Sequence, residues 1–569
     1  MVLTLDIETD SSHNKIWLCY THNSETNEYI CHTSSTTLIP LLNKADTIVG
    51  HNLIGFDVPI LNRVWGTRVG MKRLRDTLVM SRLANPSLEN GHSLGAWGVR
   101  LGNRKVEYSR IWHWMKGVQY DKKSTAPYDD PVDSLNRFYC KQDVAVTVEL
   151  YAKLSEELSD WGESVDLEHE VAYIIGKQEK HGFKFNSQEA QALVAKLSGE
   201  LADIEGELQL TFPPLVQERV SEKTGKQLKT KITAFNPGSR QQVADRLMLL
   251  GVKFTKLTEM GSIVVDESVL SKINLPEAAM VLRYMMLQKR ITQVTSWLEA
   301  TTAKGRVHGR VITIGAITGR MTHMSPNMAQ VPNAGSEYGP ECRDLWGVDK
   351  GNKLVGADAS GLELRMLAHF MHDEAYVKTV VEGSSKLGTD VHTMNMKAAG
   401  LTSRDQAKTF IYAFLYGAGA TKIGSIVGGG RVKGQRLIDK FLYNTPALKA
   451  LKEKTAQHAA KGYLTPNLDG RRLWVRSEHA ALNTLLQGAG AILMKKALVI
   501  LHNKLKCGII EAHFVANVHD EWQIEVEEED AERVGKMAVA ALQEAGVYYK
   551  LSCPTTGEYA IGNTWRETH

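Results

Sequence analysis

Residues 354–364, LVGADASGLEL, decide the fold. An apolar run of strand character ends at Asp358, and the small corner Ala359-Ser360-Gly361 leads into LELRMLAHF, whose apolar spacing is helical. A carboxylate closing a buried strand is poorly solvated and needs a cation or hydrogen-bond donors. The plainer alternative is an aspartate that caps the next helix. A second acid in a similar setting favours the first reading. Asp520 lies in AHFVANVHDEWQIEVEEE (512–529), where Phe514, Val515, Val518, Trp522, Ile524 and Val526 flank a polar His519-Asp520-Glu521 centre. This pattern predicts two short strands about a tight turn. Two aspartates meeting there would repel by about 4 kcal/mol at roughly 4 Å and an effective dielectric of ~20. Divalent metal removes that penalty. Mg²⁺ takes a few carboxylates plus phosphate oxygens, and a metal pair clamps both oxygens of an in-line phosphoryl displacement.

The chain of 569 residues is long enough for several domains, and 43% apolar content supports ordinary cores. No apolar run is expected to cross a membrane, and MVLTLDIETD lacks the form of a signal peptide. Six scattered cysteines without a CxxC argue against zinc and disulfides and fit a reducing cytosol. A net charge of +4 does not by itself announce a nucleic-acid binder, so basic residues would have to cluster on particular faces. There is no internal repeat or low-complexity tract.

Near the N-terminus, VLTLDIET reads as an edge-to-core strand with Asp6 and Glu8 on one face. Asp57 precedes the apolar run of IVGHNLIGFDVPIL. In LNRFYCKQDVAVTVEL, Tyr139 and Asp143 fall one helical turn apart. Asp76, in RDTLVMSRLA, is open between capping a helix and a direct role. From Asn186, capping-box spacing to Glu189 begins a helix striped by Leu193, Leu197, Leu201, Ile204 and Leu208. Arg219, Lys223, Lys226, Lys229 and Lys231 surround Thr224-Gly225, either as a solvated hairpin or as a phosphate-contacting tip. Further on, SRDQAKTFIYAFLYGAG places Arg404, Lys408, Tyr412 and Tyr416 at successive four-residue steps, one slowly drifting helical stripe. Two cations on it suit a triphosphate and two aromatics suit base stacking.

DASGLELR and VHDE resemble the A and C motifs of family A DNA polymerases, in a pattern nearest that of short-tailed phage replicative enzymes; bacterial DNA polymerase I is a more distant relative. The Arg404-to-Gly417 stripe is similar to that family's Arg-x3-Lys-x3-Tyr-x3-Tyr-Gly helix. The four N-terminal acids with Tyr139 look like DEDD exonucleases of the Tyr-x-x-x-Asp kind. The resemblance implies an α/β and α+β multidomain fold: a ribonuclease-H-like exonuclease domain over 1–160, then a right-hand polymerase. Its thumb would span 161–300, the palm 301–389 and 471–569, and the fingers 390–470.

The resemblance also implies roles. Asp358, Asp520 and the Ala359 carbonyl would hold two Mg²⁺ ions, with Mn²⁺ able to substitute; whether the adjacent Glu521 joins them is left open. Asp6, Glu8, Asp57 and Asp143 would hold a second pair for 3′–5′ proofreading, with Tyr139 orienting water or phosphate. His392, Arg404 and Lys408 would bind the nucleotide's phosphates, Lys408 also giving a proton to pyrophosphate, while Tyr412 stacks on sugar and base. Glu363 would be the steric gate against a ribose 2′-hydroxyl, which separates this group from single-subunit RNA polymerases. Arg320 would lie near the primer end, Tyr416 by the template base, and Asn483, Gln487 and His519 in the minor groove, with Arg476 a weaker template contact. The implied partners are primer-template DNA, dNTPs, a helicase-primase and a single-strand binding protein, for a monomer in the cytoplasm of a bacterial host. FNPGSRQQV (from Phe235) follows the basic segment without the long insertion that recruits thioredoxin in some phage relatives, so thioredoxin is not expected. The rival readings are a stand-alone exonuclease with a degenerate DNA-gripping domain and a non-catalytic DNA-binding protein.

Overall fold

The computed structural model describes residues 1–220, 225–258 and 260–568. It opens with β1 (Val2–Thr9), β2 (Ile16–Asn23), β3 (Glu28–His32) and β4 (Thr47–Gly50), then α1 (Asp57–Val64), β5 (Leu74–Asp76) and α2 (Thr77–Ala84). The sheet order is β3-β2-β1-β4-β5, antiparallel on the β2 side of β1 and parallel on the β4 side. β1 is therefore the central strand, not the edge-to-core strand expected. Its burial explains this: Leu3, Thr4, Leu5, Ile7 and Glu8 are all buried, which only a strand paired on both edges and covered on both faces can reach. The long helix α3 (Asp133–Glu157) packs across β1 and β2 and brings Tyr139 and Asp143 to the acids of β1.

Helix α4 (Ser164–His181) leaves this unit and touches α2, the later long helix and the C-terminal sheet. Next comes α5 (Ser187–Thr211), where the Asn186 side chain accepts the Glu189 amide at 3.2 Å, as the capping pattern predicts. Leu193, Leu197 and Leu208 of its apolar stripe are buried, against α6 (Pro276–Glu299) and the layer beneath it. Between them β6 (Leu215–Val220) and β7 (Gln227–Thr233) pair antiparallel. Lys226 and Lys229 of the basic segment are exposed, while Lys223 and Thr224 lie outside the described residues.

β8 (Asn352–Ala359) is the strand of the opening motif. Gly361, at φ +61, turns it into α7 (Leu362–Met371). An L side chain is strained at that φ, so the corner suits glycine. Gly361, not Asp358, is the N-cap residue of α7. Then come α8 (Val391–Ala399), α9 (Arg404–Leu415), the 27-residue α10 (Ala481–Cys507), β9 (Ala512–Val518), β10 (Glu521–Glu527), α11 (Ala531–Tyr548) and β11 (Gly557–Gly562). The antiparallel sheet runs β9-β10-β8-β11. Contrary to the expectation from sequence, Glu478–Cys507 is long and apolar enough to cross a membrane by length and composition. Its apolar stretch is 78% buried against the rest of the protein, which accounts for the hydrophobicity as core packing.

Candidate active sites

The register of the C-terminal sheet sets Asp358 opposite Glu521, and the Ala359 amide donates to the Asp520 carbonyl at 3.0 Å. Two acids separated by 162 positions in sequence are thus carried on adjoining backbones. His519, at φ +58, and Asp520 form the turn between β9 and β10, as the pattern around VHDE predicts. Asp358 is exposed at the lip of the sheet, although Leu354 to Ala357 behind it are buried. The poor solvation expected there belongs to Asp520 instead. Burial, and then the Glu363 carboxylate, push the Asp520 carboxyl upward, with Arg320 and His519 opposing. Glu521 turns to the interior: its Oε1 accepts from Gln523 Nε2 at 2.6 Å and Trp565 Nε1 at 2.5 Å.

Glu363 and Arg320 are paired, Nη2 to Oε1 at 2.8 Å, and the Tyr416 hydroxyl lies 3.4 Å from the same oxygen. Burial, then Glu363, Tyr416 and Asp520, raise the Tyr412 phenol to about 12. Tyr412 and Tyr416 of α9 therefore lie close to Glu363 of α7 and to Asp520 of the turn. Its rings continue one another, with Tyr412 6.3 Å from Tyr416 and 6.1 Å from His392. Lys408 is exposed, and Arg404 Nε donates to Asp390 Oδ2 at 2.7 Å. Asp390 also caps α8, so that pair ties His392's helix to the stripe. His392 Nδ1 is buried without a hydrogen-bond partner. Burial and then the Arg404 cation lower its pKa, with Asp390 opposing. Asn483 and Gln487 lie half-buried on the first turns of α10, one turn apart as expected.

In the N-terminal unit, ligand atoms of Asp6, Glu8 and Cys140 lie within 4.8 Å of one another. Asp57, first residue of α1, accepts the Ile7 amide at 3.1 Å, and Asp143 is ion-paired with Lys105. Burial and the Asp143 charge raise Asp6 to about 7. Burial and Asp6 raise Glu8 and Asp57 well above the ordinary carboxylate range. The cluster is short of positive charge, and Asp143 Oδ1 is buried without a hydrogen-bond partner. This donor set fits a hard divalent cation. At the C-terminal sheet, Asp358 and Asp520, carried on hydrogen-bonded backbones, offer carboxylate oxygens of the same kind.

Two members of the N-terminal cluster were not foreseen. Lys105 Nζ donates to the Tyr139 hydroxyl at 3.1 Å as well as pairing with Asp143. It lies between two helices, where no periodicity marks it. The Cys140 thiol, expected only as a scattered cysteine, donates to Asp6 Oδ2 at 3.4 Å. Burial and the neighbouring acids hold it well above the usual thiol range, so it serves as a donor and not as a ligand. Asp76 accepts the amides of Asn52, Ile54 and Leu78 at 2.8–3.0 Å. It caps α2 and pins the turn before Asp57, which assigns it a positioning role.

A family model described as DNA polymerase family A matches residues 214–567. A DNA-directed DNA polymerase of Enterobacteria phage T3 is 33% identical over 669 aligned positions, covering 93% of each chain. That of Escherichia phage T7 is 33% identical, covering 92% of each. DNA polymerase I of Streptococcus pneumoniae is 27% identical across 76% of this chain and 49% of its own. Among solved structures, the POL domain of Pol1 from M. smegmatis, in complex with DNA primer-template and dNTP, superposes with a TM-score of 0.79 at 19% identity. That match covers 99% of this chain and 95% of that one.

Proposed function

The chain belongs to DNA polymerase family A, and on that footing we propose that it copies a primed DNA template from dNTPs and proofreads its own product. The observation that carries this reading is the Ala359–Asp520 backbone bond, which joins the strand end carrying Asp358 to the turn carrying Asp520. Asp358, the Ala359 carbonyl and Asp520 would hold two Mg²⁺ ions, as would Asp6, Glu8, Asp57 and Asp143. Bound there, the ions supply Lewis acidity and charge neutralisation at the reacting phosphate.

The chain's own groups do the rest. Arg404, Lys408 and His392 grip the triphosphate; the primer 3′-oxygen, its proton lost to water, attacks the α-phosphate, the α–β phosphoanhydride bond breaks, and Lys408 Nζ hands a proton to the leaving pyrophosphate. Tyr412 stacks on the incoming nucleotide and Tyr416 lies by the template base. Glu363 fills the space a 2′-hydroxyl would need, and it holds Arg320 for the primer end. Asn483, Gln487 and His519 read the minor groove, whose acceptors vary little with sequence. In the N-terminal unit Tyr139 and Lys105 orient the terminal phosphodiester for hydrolysis. Residues 1–160 are the exonuclease domain, 161–300 the thumb, 390–470 the fingers, and 301–389 with 471–569 the palm.

The phage relatives and the solved neighbour's complex support primer-template DNA and dNTPs as ligands. We place the enzyme, as a monomer, in phage genome replication in a bacterial cytoplasm, alongside a helicase-primase and a single-strand binding protein. Thioredoxin is not required. The 669-position alignment exceeds this chain's 569 residues, so the phage relatives carry segments it lacks, and β7 runs directly into Phe235.

Primer extension tests the reading. Wild-type protein should extend a primed template with Mg²⁺ and dNTPs, and Asp6→Ala should extend it equally while no longer degrading single strands. Full-speed extension by Asp358→Asn would sink the assignment.

A further inference from the structure

Four charged side chains outside both acid clusters meet in the interior. Glu168 of α4, Asp469 and Arg471 of the loop before α10, and Lys495 of α10 are each at most 2% exposed. Glu168 Oε1 accepts from Lys495 Nζ and from Arg471 Nη1, both at 2.6 Å, and Arg471 Nε donates to Asp469 Oδ2 at 2.8 Å. Two acids offset two cations. Apolar side chains of the same volume would stabilise the interior at least as well, so stability alone gives no reason for the quartet.

One more contact supplies a reason. Lys495 Nζ donates to the Gly319 carbonyl at 2.8 Å, and Gly319 immediately precedes Arg320. The amides of Gly315 and Ala316 both donate to the Arg320 carbonyl at 3.1 Å, and that of Gly319 to Ala316 at 2.8 Å. Gly319 sits at φ +75, and a β-carbon there would come within 3.4 Å of Arg471 Nη1. The quartet thus grips the backbone of the turn from which Arg320 reaches Glu363. Lys495, Arg320 and His519 also line a common crevice with Trp522.

We propose that Lys495 is a positioning residue for DNA synthesis: held by Glu168, it fixes the Gly319 carbonyl and thereby the direction of Arg320 toward the primer end. This rests on the reading of Arg320 as a primer-end contact. α4 extends the link, because His169, next to Glu168, accepts the Asp76 amide on Nε2 at 2.7 Å, and Asp76 sets the turn into Asp57.

A double-mutant cycle tests it. Lys495→Met combined with Glu168→Gln removes one cation and one anion and leaves the Arg471–Asp469 pair. Primer-template affinity should fall roughly five- to tenfold, the size of a coupling between neighbours, with single-strand excision unchanged. Adding Arg320→Ala should then cost nothing further. Undiminished affinity, or losses that add, would overturn the inference. If Arg320→Ala alone leaves affinity intact, the primer-end assignment is wrong and the inference falls with it. Should the combined variant not fold, Lys495→Met alone, which removes the donor to the Gly319 carbonyl and leaves Glu168 bonded to Arg471, carries the same cycle against Arg320→Ala.

Discussion

The Ala359 amide donates to the Asp520 carbonyl at 3.0 Å, so the end of β8 and the turn before β10 are one unit of structure. Changes at Asp358 and at Asp520 should therefore act on one step. Asp358→Asn and Asp520→Asn should each slow nucleotide addition by about 10³-fold or more, some 4 kcal/mol of barrier. The stability effect has the opposite sign at Asp520. Its carboxyl is raised by burial, so its charge costs stability once pH exceeds the ordinary carboxylate range, and Asn removes that cost. The melting temperature of Asp520→Asn at neutral pH should equal or exceed that of wild type, as a calorimetric scan would show.

Without metal, the N-terminal cluster should make the fold less stable as pH rises. Asp6 titrates at about 7 in the fold against an ordinary 3.8, and Glu8 and Asp57 are raised too. Such acids bind protons on folding, so the penalty is absent at low pH and grows from about pH 4 through 7. Melting curves in chelator should show this fall. Mg²⁺ should recover more degrees at about pH 8 than at pH 6, because bound metal replaces the protons. In Asp6→Ala both the fall and the recovery should shrink.

Lys105 spans Asp143 and the Tyr139 hydroxyl. Lys105→Met should slow excision of single-stranded DNA by about tenfold or more, through loss of an oriented donor and cation at the phosphate. Polymerisation should be untouched. A rate equal to wild type would reduce Lys105 to a mere neutraliser of Asp143.

Glu363 holds Arg320 at 2.8 Å and lies beside Tyr416. Glu363→Ala should therefore do two things in one primer-extension assay: admit ribonucleotides about 10²-fold more readily, and slow dNTP addition as Arg320 loses its partner. At Tyr412, replacement by Phe should raise discrimination against dideoxynucleotides by about 10²-fold, read from termination ladders.

Local spacing disclosed much of this. Strand, corner and helix around Asp358 follow from an apolar run giving way to helical period, and the Arg404–Tyr416 stripe follows from four-residue steps. What depends on long-range pairing did not show. Nothing within VLTLDIET says that β4 will pair parallel beside it and make β1 central. Asp358 emerges exposed because the sheet ends there, a matter of register with β10 and β11. Arg404's bond to Asp390 and Glu521's bond to Trp565, 44 positions on, join residues with no common period. Glu168, Arg471 and Lys495 are the extreme case, since buried ions in sequence look like ordinary surface charges.

Glu168 and His169 are neighbours on α4, yet one braces Lys495 and the other the amide of Asp76. Two adjacent residues of one helix thus fasten the turn before Arg320 and the strand end at Asp76 to a common frame. On the proposed reading, a misfitted primer end would have to leave its template to reach the N-terminal acids, and the ease of that release would set how often an error is removed.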